Sequence, residues 1–293
     1  MRITQRAVAL TSLQGLNRNL DAVGRLQKQL SSGRLINAPS DSPTGTNRAM
    51  QTRSDKAANA QETRNVADAK SWLEQGGSTL QEMLDTARRV RDLTVQGLNT
   101  GAMSGAGQSA LATEITSLGE GLVGLANTAV QGRPLFGGVT PGTKAYNADG
   151  TFAGLAGPPV TRRVSGSEAV RVDVYGPDAF GADGSNLFDI VSAIATDVVA
   201  NPAALAGHLG DLDAVMNKMT TAVADVGARA SRVERAEQLS FDRSLTLESQ
   251  LAETENVDLP NTIMKLQMQQ TGYEAALAAT AKAISPTLLD YLR

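Results

Sequence analysis

The sequence predicts a mainly α fold: an elongated antiparallel helical bundle or coiled coil of N- and C-terminal arms, with a small β-rich insert at its tip. Two observations carry that reading. Near the start, Leu13, Leu16, Leu20, Val23 and Leu30 follow one another at three- and four-residue steps, with Gln27 filling the gap. Near the end, Ile263, Leu266, Tyr273, Leu277 and Ile284 do the same, with Gln270 and Thr280 between them. This spacing lays a narrow apolar stripe along one face of a helix, which another helix must cover. The second observation is the texture between the ends. Residues 137–184 hold ten of the 28 glycines and four of the 10 prolines.

Composition fits helices rather than a thick globular core. Aromatic residues are 3% of the 293, with Trp72 the single tryptophan, so packing must rest on Leu, Val, Met and Ala. A formal net charge of -3 argues against a nucleic-acid partner. The charge is unevenly placed: residues 1–64 carry ten Lys/Arg against four Asp/Glu, and 234–293 carry five against nine. Antiparallel pairing of the ends would bring opposite signs together. No cysteine is present, which excludes disulfides and thiol chemistry. No apolar run of seven or more near the start reads as a secretory signal, and none reaches the ~18 residues of a membrane span.

The elements follow in order. A first helix is expected from about Thr4 to Leu30, ending near Gly33. Asn37 to Pro43 cannot be helical, because Pro39 and Pro43 bracket turn-forming residues. These prolines make a hinge, and Ser42 with Pro43 makes an N-cap and first helical position. The next helix extends to about Asn99, interrupted only by Gly76-Gly77. Its register runs through Val66, Ala69, Leu73, Gly76, Leu80, Met83, Ala87, Val90 and Thr94. After a turn at Gly101–Gly107, a shorter helix carries Leu111, Ile115, Leu118, Leu122, Leu125 and Ala129.

Residues 137–184 form the β-rich insert. Asp149-Gly150 predicts a hairpin turn between Tyr146 and Phe152. Val170, Val172 and Val174 alternate with Arg171 and Asp173, as in a half-buried strand. Helix resumes at Leu187, Ile190, Val191 and Ile194. A seam of nine apolar positions follows: Leu205, Leu209, Leu212, Met216, Met219, Val223, Val226, Ala230 and Val233. A break at Asn256 to Pro260 precedes the terminal helix. The expected tiers are therefore 1–42 with 256–293 as assembly helices, 43–136 with 185–255 as the bundle body, and 137–184 as the outer insert. Gly15, Gly24 and Gly272 each weaken a terminal helix by ~1 kcal/mol relative to Ala, so the arms are expected to be disordered in the monomer.

No catalytic, cofactor or metal residues emerge. His208 is the only histidine and stands beside seam residue Leu209. Asp211/Asp213 and Glu253/Glu255 lie two apart on helix and face different directions. Gly138 to Lys144 lacks the spacing and context of a phosphate loop. Arg88-Arg89-Val90-Arg91 has no aromatic platform beside it for nucleic acid.

The motifs resemble those of the bacterial flagellin superfamily. Leu30-Ser31-Ser32-Gly33-Arg34, Ile36-Asn37 and Pro39-Ser40-Asp41-Ser42-Pro43 match its N-terminal signature, in the form typical of its hook–filament junction members. Arg91-Asp92-Leu93-Thr94-Val95-Gln96, Gly132-Arg133-Pro134-Leu135-Phe136-Gly137-Gly138, Asp225-Val226-Gly227-Ala228-Arg229 and Ser285-Pro286-Thr287-Leu288-Leu289-Asp290-Tyr291-Leu292 follow in order. Ser42 and Pro134 depart from the usual residues. The resemblance implies a structural, non-enzymatic subunit of a ring joining hook to filament. It implies contacts with flagellin, the other junction protein and a cytoplasmic export chaperone. It also implies secretion through the flagellar export apparatus to the extracellular flagellum, without membrane insertion. The alternatives are a filament flagellin and, in another class, a cytoplasmic coiled-coil adaptor.

Overall fold

The computed structural model describes residues 5–99 and 104–284. Helix dominates: α1 Gln5–Ser32, α2 Pro43–Leu98, α3 Gly105–Ala126, α4 Gly176–Phe180, α5 Leu187–Ala200, α6 Leu205–Glu255 and α7 Leu259–Ile284. The chain forms two compact units, residues 59–243 and residues 1–58 with 244–293. The predicted turn at Gly101–Gly107 lies partly outside the described residues. Its far side shows Ser104 as the N-cap of α3, its Oγ accepting from the Gly107 amide at 3.3 Å.

The 59–243 unit is built on the predicted seams. Helix α2 is 56 residues long, about 84 Å at the usual rise, and Gly76-Gly77 does not break it. All nine of its seam positions from Val66 to Thr94 are buried, and all nine on α6 are buried or half-buried. The two helices run antiparallel, as the pairs Lys70–Glu237 (2.8 Å) and Arg91–Asp213 (2.7 Å) show. These exposed ion pairs are screened by water and add little, whereas each fully buried Leu, Val or Met contributes ~1.5–3 kcal/mol. The seam holds the pair; the charges refine its register. Helices α3 and α5 complete a four-helix body. Gly97 lets α2 approach them: an added Cβ would lie 3.2 Å from Leu205, 3.3 Å from Leu111 and 3.5 Å from Val198.

Ala129 corrects one expectation. Helix α3 stops at Ala126, and Ala129–Val130 instead forms strand β1, paired with β2 at Arg133–Pro134. Asn127 causes the stop. Its Oδ1 accepts from the amides of Ala145 (2.8 Å) and Tyr146 (2.9 Å), and its Nδ2 donates to the carbonyls of Val123 (3.0 Å) and Tyr146 (2.9 Å). Gln131 and Gly132 both take positive φ, 51° and 78°, as a two-residue hairpin turn requires.

The insert docks along α2 and α6. Asn65 donates to the Arg163 carbonyl at 3.0 Å, Arg162 meets Asp68 at 2.5 Å, and Arg229 donates to the Asp173 carbonyl at 2.9 Å. Tyr146 and Phe152 bridge across the turn at Gly150, whose φ is 83°. The valine strand is shorter than its alternation predicts: β4 spans Ala169–Arg171 and pairs with β3 at Thr161–Arg163. Asp173 is buried rather than outward, held by both nitrogens of the Arg171 fork at 3.0 and 3.1 Å and by the Val160 amide at 2.8 Å. Phe136, Tyr146, Phe152, Phe180 and Phe188 stack edge-on into one aromatic cluster beneath these loops.

Two variants test where stability resides. Leu212 is fully buried, so Leu212→Asp strands a carboxylate in the seam and is expected to cost on the order of 4 kcal/mol. That lowers the melting temperature by about 10 °C; an unchanged melt contradicts the seam. Gly176→Ala places a Cβ 2.5 Å from the Tyr146 hydroxyl and 2.9 Å from the Phe136 carbonyl. It should destabilise by ~1–3 kcal/mol, read in urea titration.

Candidate assembly surface

In the unit of residues 1–58 with 244–293, α1 and α7 form an antiparallel pair. Main-chain bonds close one end. The Leu35 amide donates to the Glu255 carbonyl at 2.7 Å, the Val257 amide to Gly33 at 3.1 Å, and Arg34 bridges Asn256. Gly33 takes φ 68° to end α1, the conformation for which glycine is suited. Glu255 is buried and ion-paired with Arg53 at 2.8 Å, and Lys56 meets Glu248 at 2.7 Å.

The faces that meet are not quite those the apolar count predicts. On α1 they are Ser12, Leu16, Asn19, Val23, Leu26 and Leu30; on α7 they are Thr262, Leu266, Gln269, Tyr273, Ala276 and Thr280. Both sets step by four and three. At the centre, Gln269 Nε2 donates to Asn19 Oδ1 at 2.9 Å, a polar layer of the kind that fixes register in coiled coils. Of the ten predicted seam residues, Leu16 and Val23 are buried, and Leu30, Leu266 and Tyr273 are half-buried. Leu13, Leu20, Ile263 and Leu277 remain 51%, 52%, 46% and 44% exposed. Ile284 ends α7, and its side chain lies outside the described residues, as does the closing motif 285–292. Asn19 and Gln269 are polar and so lie outside an apolar count, while Leu26 and Ala276 fall one residue off the predicted register through Gln27 and Leu277; steps of four and three that tolerate Ser, Asn, Thr and Gln include all four. The consequence is an uncovered second stripe. Leu10, Leu13 and Leu20 lie on α1, and Ile263, Met264 and Met268 on α7, all more than two-fifths exposed.

The bend between α1 and α2 is tightly specified. Ser42 caps α2: its Oγ accepts from the Gly45 amide at 3.1 Å, and Pro43 occupies the first helical position. Ile36 folds against this turn, so a Cβ on Gly45 would fall 2.6 Å from Ile36 Cδ1. Asp41 accepts from the amides of Ala38 (2.9 Å) and Asn37 (3.0 Å), and these bonds hold its carboxyl below the ordinary 3.8. Pro39 lies within this loop.

His208 Nε2 lies 2.8 Å from Asp197, tying α6 to α5. Among the described residues no group of three or more His, Cys, Asp or Glu could hold a metal, and no helix is long and apolar enough to cross a membrane.

The comparisons agree with this geometry. Residues 3–140 match the family model described as the bacterial flagellin N-terminal helical region. Over these residues the chain is similar to the bacterial flagellin family. It is 26% identical to a flagellar hook-associated protein 3 from Escherichia coli strain K12, covering 95% of this chain and 96% of that one. It is 28% identical to a flagellin of Bacillus subtilis strain 168 over 80% of each. A hook-associated protein structure from Vibrio parahaemolyticus shares the fold with a TM-score of 0.68 at 18% identity, covering 74% of this chain and 100% of that one. The family is one of extracellular flagellar structural proteins.

The Asp41 turn gives a pH prediction. Because the folded pKa is lowered, the stabilisation it contributes is present above the ordinary carboxylate value and is lost as pH falls through the lowered one. The amide shifts of Asn37 and Ala38 should therefore titrate with a midpoint below 3.8. A midpoint at or above that value means the two bonds do not form in solution.

Proposed function

We propose that this chain is a structural subunit at the hook–filament junction of the bacterial flagellum, assembling through the uncovered stripes of α1 and α7. The near full-length match to hook-associated protein 3 carries the junction assignment. The exposed Leu10, Leu13, Leu20, Ile263 and Leu277 support assembly, since a contiguous apolar surface of this kind marks an interaction site. Seam residues Leu16, Val23, Leu30, Leu266 and Tyr273 hold the two arms to each other, and the exterior residues meet neighbouring subunits. With α1 and α7 covering only one face apiece and carrying internal glycines, the arms gain order from those neighbours. The resemblance extends the proposal to a ring of copies, with flagellin on one side, the other junction protein on the hook side, and an export chaperone during secretion through the flagellar apparatus.

The rival reading, filament flagellin, has the Bacillus subtilis relative in its favour. Electron microscopy of a deletion strain separates them. A junction subunit leaves bare hooks and secreted, unpolymerised flagellin; loss of a flagellin removes the filament's own material from the medium.

Leu277→Asp should leave the melting temperature within ~2 °C, since its side chain already faces water. It should nonetheless remove the chain from sheared flagella. A melt lowered as far as that of Leu212→Asp would place Leu277 in the fold rather than in assembly.

The hinge gives a second test. Replacing Pro39 and Pro43 with alanine removes the steric block to helix across 37–43. The body should stay folded while α1 is misdirected and swimming is lost. Normal motility with helix demonstrated through 37–43 would deny the bend a mechanical role.

A further inference from the structure

Within the 59–243 unit, α6 presents two exposed faces of opposite character. On one, Arg232, Arg235, Leu239 and Arg243 line an open groove of about 580 Å³. Val164 and Ala236 floor it, and the turn carrying Ser165 and Glu168 closes its far side. Leu239 is 68% exposed. Arg243 reaches Glu62 at 3.6 Å, and among the described residues Arg235 bonds only its own helix, at the Ser231 carbonyl. Arg232 makes no hydrogen bond or ion pair among the described residues, so two guanidinium groups here face a single unengaged carboxylate, that of Glu168.

The other face lies roughly opposite on the helix, at ~100° per residue. It carries Glu234, Gln238 and Phe241, all exposed. Phe241 is 70% exposed, whereas the other four phenylalanines all belong to the aromatic cluster of the insert. Glu234 has no ion-pair partner among the described residues. Phe241 and Glu234 stand about two turns apart on this face, so it offers an aromatic ring and a carboxylate to an incoming surface.

We propose that the Glu234/Gln238/Phe241 face of one copy seats in the arginine groove of a second copy of this chain. The charges have opposite sign, each face brings one large exposed apolar residue, and both span the same turns of α6. A phenylalanine ring also stacks favourably on guanidinium groups. The contact is head-to-tail: each copy offers one face and one groove, so repetition builds a ring or helix rather than a closed pair. It rests on the reading that the chain assembles with itself, and it names surfaces separate from α1 and α7.

The absence of cysteine makes the contact testable by crosslinking. Arg232→Cys and Gln238→Cys, about 120° apart on α6 and so unable to pair within one chain, would be made singly and together, and flagella sheared from the cells oxidised mildly. The double variant should give a ladder of multimers of this chain, and neither single variant should crosslink to itself. A single variant that forms dimers indicates a two-fold contact and overturns the proposal. So does a double variant that is present in flagella yet stays monomeric, or that crosslinks only to flagellin; those results leave the assembly reading intact. Absence of the wild-type chain from flagella would remove both. Should the cysteine variants enter flagella poorly, charge exchange decides. Glu234→Arg and Arg235→Glu should each cut incorporation at least tenfold and together restore it; failure to restore overturns the contact.

Discussion

A helix whose apolar stripe takes two positions in seven cannot satisfy that stripe alone, and this constraint governs the molecule. In α2 and α6 the stripe is met within the chain: nine positions on each are covered, and α3 and α5 pack on what remains. The apolar burial there is large, continuous and independent of salt. It provides the platform on which the insert's loops can be ordered. Those loops have little regular structure of their own, with strands of two or three residues. They depend on α2 and α6 for Asn65, Asp68 and Arg229, whose side chains engage Arg163, Arg162 and the Asp173 backbone.

Where the seam turns polar, it trades stability for register. Asn59 donates to the Ser240 carbonyl at 2.9 Å, and Thr63 and Ser240 share a hydroxyl contact at 2.7 Å. Sliding α2 by one turn against α6 would leave these buried groups without partners, at ~1–3 kcal/mol each. Asn19 and Gln269 do the same for α1 and α7 on a smaller scale, because their pair is only part-buried. Polar layers therefore select one alignment among several that Leu, Val and Ala alone would permit.

This explains which parts of the fold were legible in the sequence. The α2 and α6 seams were read correctly because nearly every inward position is apolar, so counting apolar residues finds the face. On α1 the same count landed on Leu13 and Leu20 instead of Ser12 and Asn19, since the inward face there includes polar residues and the outward one includes leucines. The break before α2 was legible from local chemistry, Ser42 before Pro43 and turn-forming residues between two prolines; the Asp41 bonds to the Asn37 and Ala38 amides were not. The insert was not. Asn127 ends α3 by bonding residues near 145, and Asp173 turns inward because Arg171 and the Val160 amide receive it. Neither long-range bond leaves a periodic trace. The family resemblance was legible from the ordered motifs.

The misread face carries information of its own. An evolved helix pair that needed only to be stable would place Leu13, Leu20, Ile263 and Leu277 inward and its polar residues outward. Here half of the large apolar residues on α1 and α7 point away from the pair, while Ser12, Asn19, Thr262 and Gln269 occupy the interface. That arrangement weakens the intrachain pair and raises the reward for covering it from outside. A thin inner seam with a polar lock keeps the arms aligned and leaves the exterior leucines to be covered from outside, as the proposed assembly would do. The body shows the opposite balance along its seams, where the inward positions are apolar, although Leu239 and Phe241 of α6 stand exposed. In the proposed assembly the seam that stabilises the body and the stripes of α1 and α7 therefore lie on different helices, and the α6 groove is a separate contact.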